Sequence, residues 1–349
     1  MNIYKFHSNP DELIGHTSRN FYFGDEAKEL ILQGKEVTKV IGTLYLSGTA
    51  ITALPDNLTV QGDLYLDGTA ITALPDNLTV GGTLVLSGTA ITALPDNLTV
   101  HEDLYLNGTP ITALPDNLTV GGTLDLSGTQ ITALPDNLTV HGTLNLNDTP
   151  ITALPDNLTV GTLGLKRTQI TALPDNLTVH GTLYLNDTPI TALPDNLTVH
   201  EDLNLMRTPI TALPDNLTVQ GALYLKRTQI TALPDNLTVH GTLDLSGTPI
   251  RSLPDNLTVH GDLYLSDTPI TALPDNLKVV SGHLGISGTP IRSLPDNLTV
   301  HGTLDLARTQ ITALPDNLKV SGHLWINSTP NLDKDNLPSS LVVNGEIYK

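Results

Sequence analysis

Four residue types return at fixed positions along this chain, and each is placed where it could do chemistry. Tyrosines stand at Tyr45, Tyr65, Tyr105, Tyr184, Tyr224 and Tyr264, with Trp325 and Tyr348 in the same register further on. Other repeats put Val85, Asp125, Asn145, Gly164, Asn204, Asp244, Gly285 or Asp305 there. Exposed Tyr and Trp are favoured contact residues, so the column reads as a docking face or as a tolerant site that suits a β-favouring side chain. Lys166, Arg167, Arg207, Lys226 and Arg227 place cations beside it on an otherwise acidic protein. They either pair with neighbours such as Asp148 and Asp187 or form a patch for an acidic partner. Histidines fill a third column, with the pairs His180/His200 and His240/His260 expected ~5 Å apart on adjacent strands. No third ligand joins both pairs, so a solvated column is expected rather than a metal site. The fourth column is the Asp of each Pro-Asp-Asn step (Asp56, Asp76, Asp96 and onward). Stacked carboxylates suit Ca²⁺, but an Asp that closes its own turn by a side-chain bond is the simpler expectation.

Catalysis needs a singular constellation, and none is present. The available Ser, His and Asp residues belong to repeated columns. There is no nucleophile–base–orienter set, no Gly-rich phosphate loop and no HExxH. The absence of cysteine excludes disulfides, thiolate catalysis and Cys-ligated zinc. The chain therefore reads as a non-enzyme with no cofactor and no metal.

What positions these columns is one unit. Residues 62–81, GDLYLDGTAITALPDNLTVG, return almost unaltered fourteen times between Gly42 and Ser321. Self-similarity at a short fixed period is the signature of a solenoid. In residues 58–66, Val60, Gly62, Leu64 and Leu66 alternate with Gln61, Asp63 and Tyr65. That period of two predicts one half-buried strand per coil, with the first set inward. Asp67-Gly68 is a turn signal, Ile71 a buried residue in a short extended piece, and Leu74-Pro75-Asp76-Asn77 a second turn through which no helix can run. One coil cannot bury enough apolar surface to fold alone, so neighbouring coils must stack and share the core.

The pattern LxLxxTxIxxLP resembles the leucine-rich repeat LxLxxNxLxxLP, particularly the short LPX-type repeats of bacterial effector proteins. The resemblance covers roughly residues 42–330 and departs in two places. Thr49, Thr69, Thr89 and their copies stand where the family has Asn, and Val60 replaces the first leucine one step early. A Thr ladder, or something weaker, is expected in place of the Asn ladder. The resemblance implies a right-handed β-solenoid of about fourteen twenty-residue coils, with one parallel sheet and extended return paths. A three-faced β-helix is the alternative. It also implies a non-catalytic protein-binding scaffold, a bacterial effector or phage-encoded protein acting through a concave β face. A self-associating structural or surface protein is the alternative function.

Composition narrows the partner. The formal net charge of the 349 residues is −19, which argues against general binding to nucleic acid or an anionic membrane. No stretch is long enough to span a membrane, and the first residues lack the apolar run of a signal peptide. The expected location is the bacterial cytoplasm, or secretion without a cleaved signal, with host cytoplasm as a destination. Residues 1–41 are expected to form a partly helical N-terminal cap, 42–321 the solenoid, and 322–349 a degenerate repeat and C-terminal cap. Within the cap, Ser8 or Asn9 before Pro10 starts one helix, and Asp25 to Gln33, stopped by Gly34, forms another. Two coils slip: one residue is missing before Gly161, and one is added at Val279–Val280. Asn331 and Lys334 take apolar positions, and Val343–Tyr348 restores a last edge strand. The expected partner site lies on coils 161–280, at Tyr184, Tyr224, Tyr264, Lys166, Arg167, Arg207, Lys226 and Arg227, facing an acidic protein.

Overall fold

The apolar columns of the repeat all point to one place. Val60, Leu64, Leu66, Ile71, Leu74 and Leu78 are buried, and their counterparts in neighbouring coils extend the same core along the axis. The computed structural model describes residues 21–195, 197–329, 332 and 337–349. The expected helix start at Ser8 or Asn9, and Asn331 and Lys334, lie outside the described residues. The chain is a parallel β-solenoid, each coil hydrogen-bonded to the next.

Each coil carries two short strands rather than one. Thr59–Val60 and Leu64–Tyr65 are separated by a bend at Gln61-Gly62-Asp63. Gly62 is the corner and not an inward strand residue. Its amide donates to the Gly42 carbonyl at 3.1 Å, and a β-carbon on it would stand 2.7 Å from that carbonyl carbon. A side chain in this column requires the neighbouring coil to give way, and where Glu102 and Glu201 carry one the corner bond lengthens to 3.4 and 3.3 Å. Alternation survives the corner because Val60 and Leu64 both face the core from different walls. The exposed Glu102 and Glu201 occupy the same column, which an inward position would not allow.

The two walls differ in continuity. Strands of the Leu64–Tyr65 type form one sixteen-stranded sheet, from Leu44–Tyr45 to Ile347–Tyr348. Fourteen of its strands belong to the repeats and two to residues 322–349. Strands of the Thr59–Val60 type lie in three sheets of seven, six and four strands, the first of which begins with Tyr22–Phe23 of the N-terminal segment. The interruptions fall at the two slips. After Val160 the residue that should bond back to Val140 is missing, and the Gly161 amide goes to Gly142 at 2.7 Å. At the second slip Leu257, Val259 and Leu277 are only partly buried, and Val279 is 53% exposed. The long sheet runs through both, pairing Leu144 with Leu163 and Leu263 with Leu284.

The return side has no strand among the described residues, so the three-faced β-helix is not formed. Its turns are closed by backbone. Leu98 N–H donates to Pro95 O at 3.1 Å, and where that bond is absent, as at Asn57 and Asn77, the Asn takes a left-handed conformation. No Asp of the Pro-Asp-Asn column bonds its own turn among the described residues, so that expectation fails. The backbone already satisfies the turn, and the carboxylate is left in solvent. The Thr column also differs from expectation. Thr69 Oγ1 donates 2.6 Å to Leu66 O of its own coil, and Thr129 and Thr228 repeat the bond to Leu126 and Leu225. A single hydroxyl has one proton, and the nearest carbonyl takes it, so the column clamps each coil instead of linking coils. At the N-terminal end, β1 (Tyr22–Phe23) pairs with β2 (Lys39–Ile41), and α1 (Gly24–Leu32) buries Ala27 and Ile31 against the first coil. Gly34, at φ +70°, follows the end of α1.

Candidate protein-interaction face

The variable side chains project from the long sheet. Its outward column reads Tyr184, Asn204, Tyr224, Asp244, Tyr264, Gly285, Asp305 and Trp325 on successive strands. Tyr184 is 40% exposed, and Tyr224 and Tyr264 are half-buried. Adjacent aromatics stack where the column provides them. Tyr45 and Tyr65 lie 5.0 Å apart at 9°, and Trp325 and Tyr348 4.8 Å apart at 37°. Burial, then the Asp262 charge, pushes the Tyr264 phenol up to about 12, and Asp262 accepts its hydroxyl at 3.1 Å. Burial and Asp202 raise Tyr224 as well. These phenols remain protonated donors at neutral pH.

The column two residues earlier has a role the repeat pattern alone did not reveal. Asp63 Oδ1 accepts the Thr83 amide of the next coil at 2.9 Å, and Asp103, Asp202 and Asp262 accept the amides of Thr123, Ala222 and His283. Each such Asp fixes coil to coil and presents an acidic edge beside the tyrosines.

The cations divide into two kinds. Arg167 forms a bidentate pair with Asp148, its Nη2 2.7 Å from Oδ2, and Arg207 does the same with Asp187 at 2.6 Å. Hydrogen bonding from each Arg holds the Asp148 and Asp187 carboxyls below the usual carboxylate range. Arg167 and Arg207 are therefore matched already. Lys166, Lys226 and Arg227 form no ion pair among the described residues; the two lysines are half-buried and Arg227 is exposed. Asp148, Arg167, Asp187, Arg207 and Arg227 all sit at φ between 55° and 63°, at a turn position where coils such as 48, 68 and 88 have glycine.

The histidine pairs are spaced as strand geometry requires, with ring centroids 5.4 Å apart at His180/His200 and 5.3 Å at His240/His260. His200 Nδ1 lies 3.2 Å from Val179 O. Among the described residues no three His, Asp or Glu side chains gather as a metal site would need. A hollow of about 740 Å³ opens on the same face around Gly285, between Tyr264 and Trp325. No helix among the described residues is long and apolar enough to cross a membrane.

The sequence matches no family model and no curated protein. Solved structures do match. YopM, a leucine-rich effector protein from Yersinia pestis, superposes with a TM-score of 0.58 at 21% identity, covering 88% of each chain. The Toll chain of the Drosophila Toll–Spatzle complex gives 0.54 at 19% identity, over 83% of this chain and 50% of that one. A leucine-rich-repeat protein of Leptospira interrogans gives 0.47 at 21% identity, over 90% of this chain and 96% of that one. Period, Leu-Pro step and superposition together define this chain's fold as a leucine-rich-repeat solenoid.

Proposed function

We propose that this chain is a non-catalytic protein-binding scaffold that engages its partner through the outward side chains of the sixteen-stranded sheet. One observation carries the reading: the core columns repeat from coil to coil, while the side chains that vary project from one unbroken sheet. Two fold neighbours support it, YopM by being an effector protein and Toll by its complex with Spatzle. The reading extends to an effector or phage-encoded protein acting on a host protein, with the effector YopM as support for the first of these. Residues 1–41 and 322–349 serve as the caps that shield the ends of 42–321.

The centre of the site is Tyr184, Tyr224 and Tyr264, with Lys166, Lys226 and Arg227 as the cations left for acidic groups of the partner. Arg167 and Arg207 contribute as neutralised, ordered pairs. Self-association is a second reading, because the strand Ile347–Tyr348 has one hydrogen-bonded neighbour among the described residues.

The test places a photo-crosslinking residue at 184, at 224 and at the second-wall position 178, in separate proteins. A defined product with the same protein from 184 and 224, and none from 178, is expected. Tyr184→Ala with Tyr224→Ala should then weaken that complex by ~2 kcal/mol or more. Products from 178 alone, or an unweakened double variant, would place the site elsewhere.

A further inference from the structure

The hollow around Gly285 exists because one strand of the outward column lacks a side chain. Gly285 is buried, and a β-carbon on it would stand 2.8 Å from Tyr264 Cδ1, so the Tyr264 ring leans across the gap. The next outward positions are Asp305 and then the indole of Trp325, which is 42% exposed. On the other side of Tyr264 stands Asp244. Aromatic walls and carboxylates thus alternate along one line, with an open position between Tyr264 and Asp305. Two strand spacings separate those residues, ~10 Å, enough for a planar group lying on a ring while bonding to a carboxylate.

The electrostatics of the hollow have one sign at this end. Asp244 and Asp305 each use Oδ1 to accept a local amide, from Ser246 and Ala307 at 2.9 Å, which leaves Oδ2 of each for a ligand. The two imidazoles in the lining are turned to the backbone: His283 Nδ1 accepts the Thr303 amide at 2.8 Å and His323 Nδ1 the Glu346 amide at 3.0 Å. Asp267 is paired with Arg308 at 3.4 Å. The unpaired cations of the lining, Lys226 and Arg227, stand at the opposite rim, four strands before Asp305.

We infer that this hollow receives a basic side chain, an arginine or a lysine, of the protein partner, held between the Tyr264 ring and the Asp305 carboxylate. The inference rests on the scaffold reading and adds a polarity to it. The partner presents a basic group toward Asp305 and an acidic one toward Lys226 and Arg227. A guanidinium fits best, since it stacks on an aromatic face and offers a fork of donors to a carboxylate. Aromatic rings beside carboxylates also suit a sugar, and the test separates the two.

Trp325 is the only tryptophan in the chain and lines the hollow, so its fluorescence reports occupancy directly. The probes are the capped tripeptide Gly-Arg-Gly, its citrulline analogue, and chitotriose. A saturable change in Trp325 emission with the arginine peptide, absent with the citrulline peptide and with chitotriose, is expected. Asp305→Asn should weaken arginine-peptide binding at least about fivefold. Gly285→Asn should abolish it with a cooperative melt retained, since its β-carbon meets the Tyr264 ring while the column itself accepts Asn, as at Asn204, two repeats before Asp244 and three before Tyr264. An equal response to citrulline, a response only to chitotriose, no saturable response, or full binding by Gly285→Asn would each overturn the inference. The peptide reads the hollow alone, so its failure leaves the crosslinking result at 184 and 224 standing, and the reverse also holds.

Discussion

The two walls of the solenoid are built from adjacent halves of the same repeat, yet one is continuous and the other is broken twice. The sixteen-stranded sheet keeps its register from Leu44 to Tyr348, while the Thr-Val strands separate after the seventh strand and again before the last four. Both slips in repeat length fall between the Pro-Asp-Asn turn and the Leu-x-Leu strand. There the backbone rounds a corner or a loop, and an altered length moves no leucine of the Leu-x-Leu strands out of its column. In the Leu-x-Leu strand, a shift of one residue would exchange the buried and exposed sets. The wall that tolerates change in length is thus separate from the wall that tolerates change in side chain. A binding face benefits from that division, since its residues keep fixed spacing while their identities vary.

The sharpest way to break the comparison is to insert one glycine on each wall. Between Leu183 and Tyr184 the insertion should remove several kcal/mol and the cooperative thermal transition, because Leu185 leaves the core. After His200 at the corner, the same insertion should cost under ~1.5 kcal/mol, since the chain already carries an added residue in that part of the repeat at Val279–Val280. Equal losses, measured by thermal and denaturant melts, would remove the distinction.

A smaller effect tests the clamp that ends each long-sheet strand. Thr168 is buried, and its hydroxyl donates 2.7 Å to Leu165 O. Thr168→Val keeps the shape and loses the bond, for an expected ~1 kcal/mol in denaturant melts. Thr178→Val on the second wall has no such bond to lose and should be nearly neutral. The smallest effect concerns the Arg–Asp pairs. Because the Asp187 carboxyl is lowered in the folded state, its stabilisation is present above the unfolded value near pH ~4 and is lost as pH falls through the folded one. Asp187→Asn should therefore destabilise slightly at pH 7 and become neutral in strong acid, and a pH series of melts reads the sign.

Much of this was legible in the repeat. The period, the apolar members of the inward set, the helix before Gly34, the strand near Val343–Tyr348 and the two slips all follow from residue types at fixed offsets. The corner was not, because a glycine fits an inward strand position and a tight bend equally well. Glu102 and Glu201 in its column were the available signal. The Thr clamp was hidden by analogy with an amide that links coils. Pairing of the turn cations with Asp148 and Asp187 was one of two readings left open by the sequence, and one turn reaching back to the last realises it for Arg167 and Arg207. The hollow at Gly285 was harder still, since an absent side chain acquires meaning only when its neighbours are known.

Amide hydrogen exchange across the second slip tests most directly the claim that one unbroken face runs the length of the molecule. Leu263 and Leu265 donate to His283 O and Gly285 O at 2.8 and 2.7 Å, as Leu104 and Leu106 do to Thr123 O and Asp125 O. On the second wall His260 and His301 donate to Val239 O and Val280 O, while the Ser281 amide has no such bond among the described residues. The expected result is protection at Leu263 and Leu265 equal to that at Leu104 and Leu106, with Ser281 exchanging much faster than His260 and His301. If Leu263 and Leu265 exchange as fast as Ser281, the slip cuts through both walls and the continuous face does not exist.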